Sequence, residues 1–195
     1  MLGGVILAGG KSSRMGTDKS VLILPDSRQS LLEHCQKQLK LLCDDNIFVS
    51  GSQHECGIAD VIPNCGPLSG IHGAITHIEM KHTNITELLV VAVDMPDVSQ
   101  NDFNYLLNSG RKNHSLCSFE NDFLPLYIPM SVTVSEYLAD VLKLGTYDVT
   151  RQRKQRQYSV KMMLDKLQGI QIQPLKHTQL DNINTPVQWQ KRCAR

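Results

Sequence analysis

The sequence predicts a layered α/β fold, and three observations carry that expectation. Short β-rich apolar runs alternate with helical patterns along the chain, which is how layered α/β domains read. Two of those runs, residues 4–8 and 88–93, have no polar interruption, as strands covered on both faces require. The first breaks off abruptly at Gly9-Gly10, with cations close behind, where open sheets bind ligands.

The elements follow in order. Residues 4–8 form the first buried strand. Ser30-Leu-Leu-Glu33 has capping-box spacing and opens a helix carrying Leu31, Cys35, Leu39 and Leu42 at helical intervals. Residues 46–50 and 59–62 are short strands, the second closed by Pro63. Residues 68–80 are helical, with Ile71, Ile75 and Ile78 on one face. Residues 88–93 form the strongest buried strand. A capped helix over residues 99–108 is stopped by Gly110, and strands at 116–119 and 123–128 flank an Asn-Asp turn. Residues 131–144 form a helix ended by Gly145, and residues 159–167 form another. A last strand, 170–175, precedes a helix begun by Thr185-Pro186, with proline in its favoured first turn. No repeat, low-complexity tract or linker intervenes, so one domain over residues 1–195 is expected.

Composition excludes several functions. Lysine plus arginine exceeds aspartate plus glutamate by one, 20 against 19, so no global field draws nucleic acid or an anionic membrane. Aromatic residues are 5%, too few for base-stacking platforms, and no nucleic-acid motif occurs. No apolar run approaches the roughly 20 residues that span a bilayer, and the opening residues carry no basic segment of a signal peptide. Six cysteines without a C-x-x-C pair read as reduced thiols, in the core or idle at the surface, of a cytoplasmic protein. Seven histidines without H-E-x-x-H argue against zinc.

The informative segment is Leu7-Ala-Gly-Gly-Lys-Ser-Ser-Arg-Met-Gly-Thr-Asp-Lys19. Gly9 and Gly10 admit close approach, so successive backbone N–H groups can face an anion. Arg14 can grip a polyphosphate with its planar fork, and Lys19 can act on it as a point charge. Neither usual phosphate template fits. G-x-x-x-x-G-K-[ST] fails because Val5 stands where its first glycine belongs, and G-x-G-x-x-G is absent. An ordinary glycine turn with solvated cations is the alternative. Asp94 ends the apolar run 88–93, which puts it at the carboxyl end of a central strand. Magnesium takes few protein carboxylates beside phosphate oxygens, so one such aspartate suffices; a surface aspartate opening a turn before Pro96 is the competing explanation. Asp97 is the next candidate, expected to be solvated beyond the proline.

Residues 7–19 resemble the L-A-G-G-x-S-x-R-M-G-x-D-K signature of the molybdenum cofactor guanylyltransferases. Gly66-Pro-Leu-Ser-Gly70, Asp94-Met-Pro96 and Asn182-Ile-Asn-Thr-Pro186 match further motifs of that family in order and spacing. The resemblance implies a Rossmann-like three-layer sandwich with a mostly parallel, mixed sheet, of the nucleotide-diphospho-sugar transferase type. It implies transfer of GMP from GTP to the phosphate of molybdopterin, with release of pyrophosphate. The catalytic residues it implies are Arg14, Lys19 and Asp94, with Asp94 the ligand of Mg²⁺. Nucleotide contacts fall on Leu7, Ala8, Gly9, Gly10, Ser12, Lys19, Ser50, Asn64, Gly66, Pro67, Leu68, Gly70 and Asp94. Asn182 and Asn184 belong to the acceptor side, although Asn184 beside Thr185-Pro186 also suits a helix cap. Cofactor delivery proteins or molybdoenzymes are the implied protein partners. A terminal phosphate is already anionic near neutral pH, so no general base is needed; alignment and charge stabilisation carry the reaction.

Three positions depart from the family pattern. Asn64 stands for a frequent aspartate, Leu124-Pro125 for a usual His-Pro, and Gln188 for an acidic residue after Thr-Pro. These leave open another phosphorylated acceptor, a CTP-dependent relative, or nucleotide binding without turnover. Relatives using CTP carry L-A-A-G where this chain has Leu7-Ala8-Gly9-Gly10, which favours guanine. Arg151-Gln-Arg-Lys-Gln-Arg156 reads as a solvated helix face or as a contact for an anionic pterin or partner.

Overall fold

The computed structural model describes residues 1–9, 15–62, 66–147 and 159–194, with side chains of 143–147 excluded. Among these, six strands form one mixed sheet. They are β1 (Leu2–Leu7), β2 (Ile47–Ser50), β3 (Glu87–Ala92), β4 (Cys117–Phe119), β5 (Asp122–Pro129) and β6 (Ile170–Ile172), in spatial order β2-β1-β3-β5-β4-β6. β1 lies parallel to β2 and β3, β5 runs antiparallel to β3 and β4, and β6 closes the edge parallel to β4.

Helices cover both faces. α1 (Leu31–Cys43) and α3 (Gln100–Asn113) supply Leu31, Leu39, Phe103 and Leu106 to one core, which takes Leu89 and Val91 from β3. α2 (Pro67–Lys81), α4 (Val132–Tyr147) and α5 (Val160–Lys166) supply the other, which takes Leu88 and Val90. β3 therefore buries alternate residues on opposite faces, which is why its apolar run is unbroken. α6 (Pro186–Cys193) follows last and buries none of its residues. The result is the three-layer α/β sandwich expected from the sequence.

Local chemistry starts the helices as read. Capping boxes Ser30–Glu33 and Ser99–Asp102 open α1 and α3, and Thr185 caps α6 ahead of Pro186. Four expectations shift. Residues 59–62 form no strand; a single bridge joins Ser50 to Ile58, and the Ser69 hydroxyl takes the place of a neighbouring strand by bonding the N–H and carbonyl of Ile62, 2.9 and 2.7 Å. Gly110 does not stop α3, which continues to Asn113; a Cβ at Gly110 would overlap the Tyr127 ring, so the glycine lets helix and sheet touch. α4 runs on through Gly145. β6 ends at Ile172, two residues before Pro174, which has no N–H for a ladder.

Candidate functional site

The register of the parallel strands builds the site. Leu7 stands opposite both Ser50 and Ala92, so β1, β2 and β3 end level and release their loops at one sheet edge. The cleft there is about 870 Å³. Its lining includes Leu7, Ala8 and Gly9 after β1, and Ser50 and Gly51 after β2. Gly66, Pro67 and Gly70 come from the start of α2, Asp94 follows β3, and Asn182 and Asn184 precede α6.

At its centre the Lys19 ammonium donates to Asp94 Oδ2 and to Asn184 Oδ1, each at 2.7 Å. The Lys19 and Asp94 side chains are 15% and 16% exposed, so water screens the pair only partly. Lys19 opens a single 3-10 turn whose N-cap is Asp18, the Asp18 carboxylate accepting from the N–H and hydroxyl of Ser20. Ile183 N–H donates to the Asp94 carbonyl, 2.9 Å, which draws the Asn182–Asn184 strip against the end of β3. Thr185, not Asn184, caps α6, and this frees the Asn184 amide for Lys19.

Two glycines permit the close packing of α2 against this edge. A Cβ at Gly70 would come 2.5 Å from Ser50 Oγ, and one at Gly73 would come 2.6 Å from the Ala59 carbonyl oxygen. Pro67 at the first helical position and Gly66 at φ 69° put the amino end of α2 at the cleft, where the positive end of the helix dipole favours an anion.

Asp60, which sequence reasoning passed over, also lines the cleft. It is half-buried, accepts from Ser50 Oγ at 3.3 Å, and burial pushes its carboxyl above the usual range against the opposing effect of that bond. The available signal was its place between the end of the second strand and Gly66. Gln53 was passed over as well; its amide donates to the Ala8 carbonyl, 3.0 Å, and fixes the exit of β1.

Other candidates sit elsewhere. The Leu68 side chain is wholly buried in the α2 core and does not line the cleft. Asp97 is not solvated as expected: its carboxylate accepts from Arg192 Nε at 2.8 Å. Leu124 lines the cleft. Gly10, Ser12, Arg14, Asn64 and the basic run 151–156 lie outside the described residues.

The donor set fits a cation that arrives with its substrate. Among the described residues no group of three or more His, Cys, Asp or Glu could hold a metal alone. Among the described residues the lining nonetheless carries three carboxylates, Asp18, Asp60 and Asp94, beside the Lys19 ammonium. Carboxylate oxygens beside bound phosphate suit a hard divalent ion, which takes few protein ligands and completes its shell with phosphate and water oxygens.

Comparison with known proteins agrees with this geometry. The family model of the MobA-like NTP transferase domain matches residues 4–163. A protein of Xanthomonas euvesicatoria named molybdenum cofactor guanylyltransferase is 35% identical over 189 residues, spanning 96% of this chain and 92% of its own length. A probable molybdenum cofactor guanylyltransferase of Rhodopirellula baltica is 34% identical over 121 residues, 56% of each chain. In fold, molybdopterin-guanine dinucleotide biosynthesis protein A of Archaeoglobus fulgidus superposes with a TM-score of 0.71, at 19% identity, over 100% of this chain and 97% of that one. A cytidylyltransferase of Leptospira borgpetersenii superposes with a TM-score of 0.62, at 13% identity, over 99% and 85%.

Proposed function

The chain belongs to the MobA-like NTP transferase family, and on that premise we propose that it transfers GMP from GTP to the terminal phosphate of molybdopterin. The observation that carries this reading is the meeting of Lys19, Asp94 and Asn184 in the cleft that Gly9 also lines, at the level ends of three parallel strands. Residues 1–195 act as one nucleotidyltransferase domain. An oxygen of the acceptor phosphate attacks the α-phosphorus of GTP, the bond from that phosphorus to the bridging oxygen breaks, and pyrophosphate leaves with the electron pair. The acceptor is already an anion, so no residue has to remove a proton from it.

The residues divide the work. Gly9 and the amino end of α2 receive the triphosphate, and Lys19 supplies positive charge to the leaving group. Asn184 orients Lys19 through its carbonyl oxygen. Asp94 and the phosphate oxygens would hold Mg²⁺, which supplies Lewis-acid neutralisation of the triphosphate. Asp60, beside Ser50 and facing the cleft, is placed to accept from the nucleoside. The remaining family contacts, Gly10, Ser12, Arg14 and Asn64, belong to the same reading. A cytoplasmic location and hand-over to cofactor delivery proteins or molybdoenzymes complete it. Among the described residues no helix is long and apolar enough to cross a membrane.

A panel of GTP, CTP, UTP and ATP with Mg²⁺, read by pyrophosphate release with and without molybdopterin, tests the proposal. GTP should support the fastest release, and only with the acceptor present. Equal turnover of CTP would move the assignment to a cytidylyltransferase, and the absence of release with all four nucleotides would reduce the chain to a binding module.

A further inference from the structure

We propose that Arg192, near the carboxyl end of α6, is a positioning residue that sets Lys19, Asp94 and Asn184 against one another. This rests on the transferase reading above. The three site groups come from three stretches of chain far apart in sequence, and Arg192 ties all three. Its Nε donates to Asp97 Oδ1 at 2.8 Å, three residues after Asp94 on the same loop. Its Nη2 donates to Asp26 Oδ2 at 3.2 Å, on the segment that leaves the Lys19 turn. Its own helix begins at Pro186, two residues after Asn184.

The other contacts of α6 are weak by comparison. None of its residues is buried, and Trp189, the chain's one tryptophan, is only partly covered where it packs against the α1–α3 core. Apolar burial alone therefore docks this helix poorly, whereas the Arg192 and Asp97 side chains are 16% and 19% exposed and their contact is short. The Asp97 loop is braced from its other side by α1. There His34 Nε2 lies 3.0 Å from the Pro96 carbonyl and Gln38 Nε2 donates to the Val98 carbonyl at 3.1 Å. Release of Arg192 would thus leave the Asn182–Asn184 strip tied to the Asp94 loop only through Ile183, by its buried side chain and its bond to the Asp94 carbonyl, and would let Asn184, next to the loosened helix, shift against Asp94. A displacement near 1 Å is enough to cost on the order of a hundredfold in rate.

Arg192→Met removes the charge and keeps the length; Arg192→Lys keeps the charge and loses the fork. The Met variant should melt as a folded protein, with a red-shifted Trp189 emission and faster hydrogen exchange at the Ile183 amide, which bonds the Asp94 carbonyl. Its kcat should fall about tenfold or more, with KM for GTP held within about threefold, and the Lys variant should recover part of the rate. Asp97→Asn, with the same readouts, decides the matter if the Met variant does not fold, and Lys191→Ala on the same helix serves as the control. Wild-type kcat in Arg192→Met, or equal losses in kcat and affinity for both Arg192 variants, overturns the proposal. If the wild-type chain releases no pyrophosphate, it is the transferase reading that fails. Exchange at Ile183 and Trp189 emission then judge the clasp, unchanged values refuting it.

Discussion

The Lys19–Asp94 pair invites a double-mutant cycle, with Lys19→Met and Asp94→Asn as its arms. At 2.7 Å the gross attraction of two unit charges is about 6 kcal/mol at an effective dielectric of about 20. Desolvation takes back most of it. Exposed pairs retain about 0.2–1 kcal/mol, and breaking a buried pair costs about 3–5 kcal/mol. With both side chains roughly one-sixth exposed, a coupling of about 1–3 kcal/mol is expected. Each single variant strands the partner's polarity in the cleft, whereas the double variant strands neither, so it should be more stable than the sum of the singles by that amount. For a domain of this size each kcal/mol moves Tm by about 2–4 °C. Urea unfolding of the four proteins measures the term, and additivity within about 0.5 kcal/mol would refute the pair as a stabilising contact. Kinetics separates structure from chemistry. Lys19→Met should lose about 2–4 kcal/mol of transition-state stabilisation, and a normal kcat/KM would leave Lys19 a strut.

Two further outcomes follow from the cleft walls. The Asp60 carboxyl is raised in the folded state by burial, so its favourable contribution is full below the ordinary carboxylate range and lost as pH rises through the raised value. Asp60→Asn should therefore raise Tm slightly at pH 7, leave it unchanged near pH 3, and weaken GTP binding in calorimetry; a wild type more stable than the variant at pH 7 would mean that the Ser50 bond outweighs burial. Gly73→Ala sets a Cβ 2.6 Å from the Ala59 carbonyl oxygen, next to Asp60. Overpacking of about 1–3 kcal/mol should exceed the roughly 1 kcal/mol gained in helix propensity. A fall in both Tm and GTP affinity is expected, and a rise in Tm by the full helix-propensity gain would refute the close approach.

Much of the fold was legible because its signals are local. The unbroken run of β3, the Ser30–Glu33 and Ser99–Asp102 boxes, and Pro186 after Thr185 each act within a few residues. The misreadings came where a side chain of another element decides. Gly110 looks like a helix stop until the Tyr127 ring, on β5, is seen to need the space. Residues 59–62 look like a strand until Ser69 is found holding Ile62. Seven positions separate Ile62 from Ser69, and neither pairing follows the period of a helix or a strand.

The same distinction runs through the site. Gly9, Lys19, Asp94 and Asn184 were each visible as motif residues, but their meeting depends on contacts spanning 75 and 165 positions. Asp60 and Arg192 belong to no motif named from the sequence, and only the packed structure gives them roles. The departures from the family pattern can be sorted on the same basis. Gln188 accepts from the Asn184 N–H at 2.8 Å through its amide oxygen, and its own N–H donates to the capping Thr185 hydroxyl at 3.2 Å. An acidic residue would offer the same acceptor there, so the substitution concerns the start of α6 and carries no information about the acceptor substrate. Leu124 is different: it lines the cleft, where an imidazole could donate a hydrogen bond or carry charge and a leucine can do neither. Whatever distinguishes this chain from its relatives in substrate choice is to be sought at residue 124 before residue 188.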